Sequence, residues 1–262
     1  MSSMNREEEI ILSLVTQFAR LSPHVVDIGA GDGITFSNSH ALITSHKWHA
    51  TLIAGKRGVM ASLADLYADS QRSVSIVNTY VSPVDIAPLL RGLSVPQQFG
   101  VLSLDIDSFE YDLLDSLLKE YRPSILCVEI NERFPPHFDY RLVWEPGKAY
   151  PDLTLVSSAS ISCMCTMLES HGYVGIHLEY NNLFAVPIES PGQIQATIRA
   201  AKSPSDLYYG GYWLREDRAV KFPWNTRFEH WQVSDVEQLR DALGQLSSGS
   251  AFRFLLDRRS HS

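Results

Sequence analysis

Near its N-terminus the chain reads His24-Val25-Val26-Asp27-Ile28-Gly29-Ala30-Gly31-Asp32-Gly33, a short β-branched run that stops at three alternating glycines. Such a run is typical of a buried strand. A glycine-rich turn between a strand and the next helix offers unpaired backbone N–H groups and lets a ligand approach the main chain closely. An ordinary tight turn is the alternative, but this spacing favours a ligand-binding loop.

Two kinds of cofactor use a loop of this type. Dinucleotide-binding folds favour Gly-x-Gly-x-x-Gly, whereas here the third glycine comes one residue early and Ile34 stands in its expected place. The spacing Asp-x-Gly-x-Gly-x-Gly, from Asp27 to Gly33, fits the loop that binds S-adenosylmethionine (SAM) better. We therefore predict a SAM site in which Asp27 orients the loop or the methionine ammonium group.

Apolar runs and amphipathic stretches alternate after this loop. Strands are predicted at residues 51–53, 74–77, 101–104, 125–128, 173–178 and 183–187, and helices at residues 35–46, 60–67, 109–118 and 160–171. Strands that alternate with helices indicate an α/β fold with a mostly parallel sheet covered on both faces. The connection at residues 131–151 is long, and long connections are often functional.

The end of the second predicted strand lacks an expected group. Both cofactors are usually held there by an acidic residue that accepts hydrogen bonds from ribose hydroxyls. Here the strand ends in Ala54 and Gly55, followed by Lys56 and Arg57. The two cations suit an anionic group such as the phosphate of NADP, so an NADP-dependent oxidoreductase stays open. A non-catalytic relative that has lost the cofactor is a further alternative.

Polar side chains follow the fourth and fifth predicted strands. Asp105 and Asp107 come after one, and Glu129 and Asn131 after the other. Ligands of open α/β sheets bind at the carboxyl ends of strands, and these oxygens suit Mg²⁺. The sequence therefore leaves three interpretations open, namely a cation site, metal-free acid–base catalysis by Asp107 or Glu129, and a structural role. His137 in the long connection is a further candidate base.

Composition restricts the partners. The chain has 262 residues and a formal net charge of −8, with no basic run that would follow a phosphate backbone, so nucleic acid is not an expected partner. No apolar stretch has the length of a membrane span. Three cysteines (Cys127, Cys163 and Cys165) form no metal or disulfide pattern. We expect a cytoplasmic protein with reduced thiols and a small-molecule substrate.

In these motifs and their order the chain resembles the FkbM-like group of SAM-dependent methyltransferases. The matching segments lie at residues 26–33, 37–38, 48–53, 77–83, 102–107, 128–131, 134–136, 171–173 and 182–186. This sequence departs from the group's pattern at Ala54, where a glutamate is usual, and at Ser108, where a glycine is usual. The resemblance implies a Rossmann-like class I methyltransferase fold with a seven-stranded sheet, and methyl transfer most often to oxygen.

The resemblance also implies site residues. Asp27, Gly29, Ala30 and Gly31 are expected to hold the methionine part of SAM. The other expected cofactor-binding residues are Asn38, Asn78, Val81 and Asp105, with Asn78 and Val81 near the adenine. Related small-molecule O-methyltransferases hold a divalent metal on acids after strands four and five, which is similar to Asp107, Glu129 and Asn131.

Three segments are expected: an N-terminal helix within residues 1–22, a SAM-dependent methyltransferase domain at 23–189, and an aromatic-rich extension at 190–262. The extension is expected to pack on the domain or on a partner chain, which makes a homodimer an expectation. The predicted function is methylation of a small-molecule hydroxyl or carboxylate, with secondary metabolism as the expected context. SAM chemistry other than methyl transfer, such as an intramolecular cyclisation, is a further alternative.

Overall fold

The computed structural model describes residues 6–35, 37–70, 72–148, 155–246 and 252–259. Its strands are β1 (His24–Ile28), β2 (His49–Ala54), β3 (Val74–Asn78), β4 (Val101–Leu104), β5 (Ile125–Glu129), β6 (Phe138–Val143), β7 (Tyr173–Glu179), β8 (Asn182–Pro187) and β9 (Arg253–Arg258). Its α-helices are α1 (Glu7–Val15), α2 (His40–Thr44), α3 (Met60–Leu66), α4 (Ile86–Gly92), α5 (Glu110–Leu117), α6 (Ile161–Ser170), α7 (Ile194–Arg199), α8 (Pro204–Tyr208), α9 (Arg218–Lys221) and α10 (Val236–Leu246).

Seven strands form the main sheet in the order β3-β2-β1-β4-β5-β8-β7. The first five in this order are parallel, whereas β8 runs antiparallel to both of its neighbours. The strand order reverses beside β1, which is where open α/β sheets form a ligand crevice. This topology confirms the predicted Rossmann-like class I methyltransferase fold with a mostly parallel seven-stranded sheet.

Alternation along each strand sends side chains into two cores, one on each face of the sheet. Val25 belongs to the core that also contains residues of α1, α2, α3 and α7, whereas Val26 belongs to the core with residues of α4, α5 and α6 on the opposite face. Both valines are fully buried. Because both faces are covered, the central strands are apolar on both sides, as expected for parallel strands.

The helix predicted at residues 35–46 is shorter in the structure. The Asp32 carboxylate accepts hydrogen bonds from the Ile34 and Thr35 amides, 2.9 and 2.6 Å away, which closes a turn instead of a helix. Only α2, five residues long, remains helical. Phe36, the second residue of the predicted helix, lies outside the described residues.

The long connection after β5 contains a strand that sequence analysis missed. β6 pairs antiparallel with β9, so the C-terminal extension returns to the domain and forms a separate two-stranded sheet. A third core, containing Phe134, Tyr140, Trp231 and Leu256, lies between this sheet and the extension. The extension thus packs on its own domain. Residues 149–151 of the predicted connection lie outside the described part.

None of the described helices has both the length and the apolar character that a membrane span requires. The three cysteines carry free thiols.

Candidate functional site

The glycine loop after β1 is pressed against the end of β4. Gly29 has a φ of +99°, and a Cβ atom at that position would lie 1.6 Å from the carbonyl oxygen of Asp105. Only glycine fits both the backbone angle and this approach. The contact places the loop directly beside the carboxylates that follow β4.

Most of the loop amides already have partners. The N–H groups of Gly29 and Ala30 donate to the Ile53 carbonyl, 2.9 and 3.2 Å away, and that of Gly33 donates to the Ala30 carbonyl. Among the residues that the structure describes, Gly31 keeps a backbone N–H without an acceptor. The sequence predicted unpaired N–H groups in this loop, and the contacts with Ile53 and the turn leave the Gly31 N–H available.

Asp27, in β1, and Asn38, beyond the loop, are both buried. The Ser39 hydroxyl donates to the Asp27 carboxylate at 2.6 Å, while the Asn38 amide donates to the Ser103 hydroxyl at 3.3 Å. Burial raises the pKa of Asp27 to about 6, although hydrogen bonds from Ser39 and Ser103 lower it in part. Asp27 therefore ties the loop to the segment that enters α2.

At the ends of β2 and β3, an amide and an aromatic ring stand beside the position of the missing acid. The Asn78 side chain donates to the carbonyls of Ala54 and Lys56, 2.7 and 3.2 Å away. The Tyr80 ring is 82% exposed and lies against Gly55, where a Cβ atom would come within 2.5 Å of it. The predicted residue Val81 is buried behind them.

A cavity of about 540 Å³ opens at the carboxyl ends of β4 and β5. Its volume lies within the range of small-molecule sites. Three sources contribute its walls, namely the segments after the strands, the N-terminal helix and the C-terminal extension. The lining includes Glu7, Asn38, Asp105, Asp107, Glu129, Glu132, Arg133, Asn181, Asn182, Phe222, Trp224 and Arg227.

Three carboxylates meet beside this cavity. One oxygen each of Asp105, Glu110 and Glu129 lies within 4.8 Å of the others. Glu110 is fully buried and accepts from the amides of Ile106 and Ser108, both at 3.0 Å, whereas Glu129 accepts from the Asn181 amide at 2.9 Å. The second oxygen of Glu110 and of Glu129 is buried without a hydrogen-bond partner among the described residues.

The three acids share one electrostatic environment. Burial, followed by repulsion from neighbouring carboxylates, raises the pKa of Asp105 to about 8 and that of Glu129 well above its ordinary value. Burial also raises the pKa of Glu110 to about 7, although three backbone amides lower it in part. Without a counter-charge, the cluster therefore does not carry three full negative charges near neutral pH.

Glu110 was missed as a site residue by sequence analysis. As the first residue of α5, it is explained by the helix dipole alone. Its side chain turns back and closes the segment between β4 and α5, and one of its oxygens lies within 4.8 Å of carboxylate oxygens of Asp105 and Glu129. A glutamate three residues after Asp107 was the available signal, but only the fold of this turn gives it meaning.

The other two predicted metal ligands, Asp107 and Asn131, do not belong to this group of three carboxylates. Asp107 lines the cavity but is exposed, with a φ of +56°, because β4 ends at Leu104 and the strand alternation does not continue. Asn131 is buried, its amide donates to the carbonyls of Leu155 and Ser157, and its oxygen accepts from Arg133. These bonds occupy the Asn131 side chain within the loop after β5, and a metal-ligand role for Asn131 stays a prediction from the sequence.

His137 is absent from the lining of the cavity. Its backbone carbonyl accepts from the Arg259 amide, and its ring contacts Phe138 at a centroid distance of 4.2 Å. It therefore lies where β6 meets the end of β9. A catalytic role for His137 stays a prediction from the sequence.

Comparison with known proteins finds no matching protein-family model and no matching curated protein. Solved structures that are similar to this chain include methyltransferases. An O-methyltransferase from Bacillus cereus in complex with SAH is 11% identical to this chain with a TM-score of 0.44, and the match covers 69% of this chain and 79% of that protein's chain. The CurJ carbon methyltransferase is 13% identical with a TM-score of 0.44, and the match covers 68% of this chain and 52% of that protein's chain. The mitomycin 7-O-methyltransferase MmcR is 15% identical with a TM-score of 0.40, and the match covers 69% of this chain and 54% of that protein's chain. The resemblance to the FkbM-like group stays a prediction.

Proposed function

We propose that this protein is a SAM-dependent methyltransferase that methylates an oxygen atom of a small molecule bound in the cavity at the ends of β4 and β5. One observation carries the proposal: Gly29 packs on the carbonyl of Asp105. A cofactor on the glycine loop would therefore lie next to the acidic wall of the cavity. The strand order supports a ligand site at the same carboxyl edge of the sheet, because the order reverses beside β1.

The reaction is a displacement at the methyl carbon. An oxygen of the acceptor forms the new bond to the methyl group, the bond between that group and the sulfonium breaks, and S-adenosylhomocysteine leaves with both electrons. The hydroxyl proton passes to a carboxylate that lines the cavity, for which Asp107 and Glu129 are the candidates. Holding the two reactants in line supplies much of the acceleration.

A divalent cation is a second element of the proposal. The chemistry of the donor set fits Mg²⁺, because Asp105, Glu110 and Glu129 offer carboxylate oxygens close together, and two of those residues keep a buried oxygen without a partner. These three residues, rather than Asp107 and Asn131, would hold the ion. A bound cation supplies Lewis acidity that lowers the pKa of an acceptor hydroxyl.

Calorimetry with S-adenosylhomocysteine and NADPH tests the cofactor. We expect S-adenosylhomocysteine to bind and NADPH not to bind. Binding of NADPH alone would favour the oxidoreductase that Lys56 and Arg57 leave open, and binding of neither would favour a non-catalytic protein. Mass spectrometry of the products from SAM and a panel of hydroxylated compounds then separates methyl transfer from cyclisation.

The cation is tested by titrating Mg²⁺ into the protein and into two variants. Glu110→Gln removes a charge from the carboxylate cluster, whereas Glu169→Gln removes one from an exposed position on α6. We expect at least tenfold weaker Mg²⁺ binding for the first variant and wild-type binding for the second. Equal binding by all three proteins, or none by any, would leave the metal-free reaction as the proposal.

A further inference from the structure

The C-terminal extension supplies one wall of the proposed acceptor cavity. The lining includes Phe222, which directly precedes the 3₁₀ helix Pro223–Gln232, and two residues within this helix, Trp224 and Arg227. Side chains three residues apart project from the same side of a 3₁₀ helix. Trp224 and Arg227 are spaced in this way, so an aromatic ring and a guanidinium face the cavity together.

Both side chains remain exposed and can contact a ligand. Trp224 is 47% exposed and forms a T-shaped contact with Phe222, with ring centroids 5.6 Å apart, so about half of the Trp224 surface stays accessible. Arg227 is exposed and packs over the Phe228 ring at 4.7 Å. Within the described parts of the chain, no carboxylate lies within 4.0 Å of its guanidinium.

The second arginine of the cavity differs from Arg227. Arg133 is buried, it lies 3.7 Å from the Glu132 carboxylate, and it donates to the Asn131 oxygen. The Arg133 guanidinium therefore interacts with residues of the loop after β5. Arg227 stands opposite, on the extension, and its charge is available to a ligand.

We infer that the acceptor is a planar, hydroxylated aromatic compound that carries an anionic group, with its ring on Trp224 and its anionic group on Arg227. This inference rests on the proposed function. The hydroxyl would face the carboxylates that line the same cavity, where the proton is taken up. A guanidinium that has no carboxylate partner binds carboxylate or phosphate oxygens through paired donors, and an aromatic face beside it stacks on a flat ring.

Three probes that differ only in the group opposite the phenol hydroxyl test the inference: 4-hydroxyphenylacetate, 4-ethylphenol and tyramine. Their binding to the full chain is measured by ligand-observed NMR with saturating S-adenosylhomocysteine. We expect the anionic probe to bind at least tenfold more tightly than the neutral one and tyramine to bind most weakly. Tighter binding of tyramine, equal binding of all three, or binding of none at millimolar concentration would overturn the inference.

Two variants assign the preference to a residue. Arg227→Gln is expected to abolish the tenfold preference for the anionic probe, and Arg20→Gln, which removes the same charge from an exposed position outside the cavity lining, is expected to keep it. Retention of the preference in Arg227→Gln would contradict the assignment. Binding of S-adenosylhomocysteine is measured separately, so a failed cofactor and a failed acceptor site give different results.

Discussion

Gly29 is the residue on which the proposed cofactor site most depends. An alanine there would place its Cβ atom 1.6 Å from the Asp105 carbonyl oxygen. It would also need a backbone φ of +99°, which residues with a side chain rarely adopt. Gly29→Ala is therefore expected to lower the free energy of unfolding by more than about 2 kcal/mol and to abolish binding of S-adenosylhomocysteine. Denaturant unfolding and calorimetry measure the two effects.

Gly31→Ala is the matched control. Gly31 also has a positive φ, +54°, but a Cβ atom there would lie 3.9 Å from its nearest neighbour. We expect a loss of about 1 kcal/mol, which is the cost of a left-handed backbone alone. Equal destabilisation by both variants would show that backbone angle, and not the contact with Asp105, makes Gly29 necessary.

His24 connects the first strand to pH-dependent stability. Burial, together with repulsion from His49, lowers the pKa of His24 from 6.5 to about 4. The unfolded chain therefore binds a proton that the folded protein excludes, so stability is complete above pH 6.5 and falls as pH decreases towards 4. The loss amounts to about 2 kcal/mol after allowance for solvent screening.

Unfolding of His24→Asn across this pH range measures that contribution. The variant is expected to lose the part of the pH dependence that His24 causes, whereas His46→Asn, at an exposed position, is expected to keep the wild-type slope. An unchanged slope in His24→Asn would assign the pH dependence to other groups.

Local sequence patterns predicted most strands of the main sheet. They did not predict a strand whose pairing partner lies far away in the sequence. The strand Val101–Leu104 was predicted with its observed bounds, because a run of apolar residues is enough to define a strand buried on both faces. β6 was missed, because its partner β9 lies more than a hundred residues later in the chain. Single-strand propensity carries little information about a pairing of this kind.

The same limit applies to the site. Asp105 and Glu129 were predicted together, because the carboxyl ends of neighbouring parallel strands meet at one edge. Glu110 and Arg227 were missed as site residues. The first depends on the shape of one turn, and the second on an extension whose path follows from its tertiary contacts. Sequence analysis thus identified the acidic edge of the site but not its opposite wall.

The pairing of β6 with β9 gives a test of the small sheet. Leu256, opposite Tyr140, is 8% exposed and belongs to the third core, whereas the adjacent Leu255 is 46% exposed. Leu256→Ala is expected to lower the free energy of unfolding by about 2–3 kcal/mol, and Leu255→Ala by less than about 0.5 kcal/mol. Similar losses in denaturant unfolding would mean that β9 is not seated in this register.

The aromatic extension is held to the domain by buried polar contacts as well as by packing. The Glu132 carboxylate accepts from the Asn225 amide, which also donates to the Tyr212 hydroxyl at 3.0 Å. The Tyr208 hydroxyl donates to the Glu132 backbone carbonyl at 3.0 Å. Trp231 and Tyr212 are each 1% exposed, so these large rings serve the chain's own core. The expected homodimer stays a prediction.

This arrangement predicts that the cavity wall and the cofactor loop are separable parts of the molecule. Asn225→Ala removes a partner of the buried Glu132 carboxylate, and an unsatisfied buried acceptor costs about 1–3 kcal/mol. We expect amide hydrogen exchange in residues 208–232 to become about tenfold to a hundredfold faster, with 4-hydroxyphenylacetate binding lost and S-adenosylhomocysteine binding retained. Thr226→Ala, which removes an exposed hydroxyl that donates to the Pro223 carbonyl, should change neither. If Asn225→Ala abolished binding of S-adenosylhomocysteine as well, the extension would support the glycine loop, because a wall that served only the acceptor would not affect the cofactor.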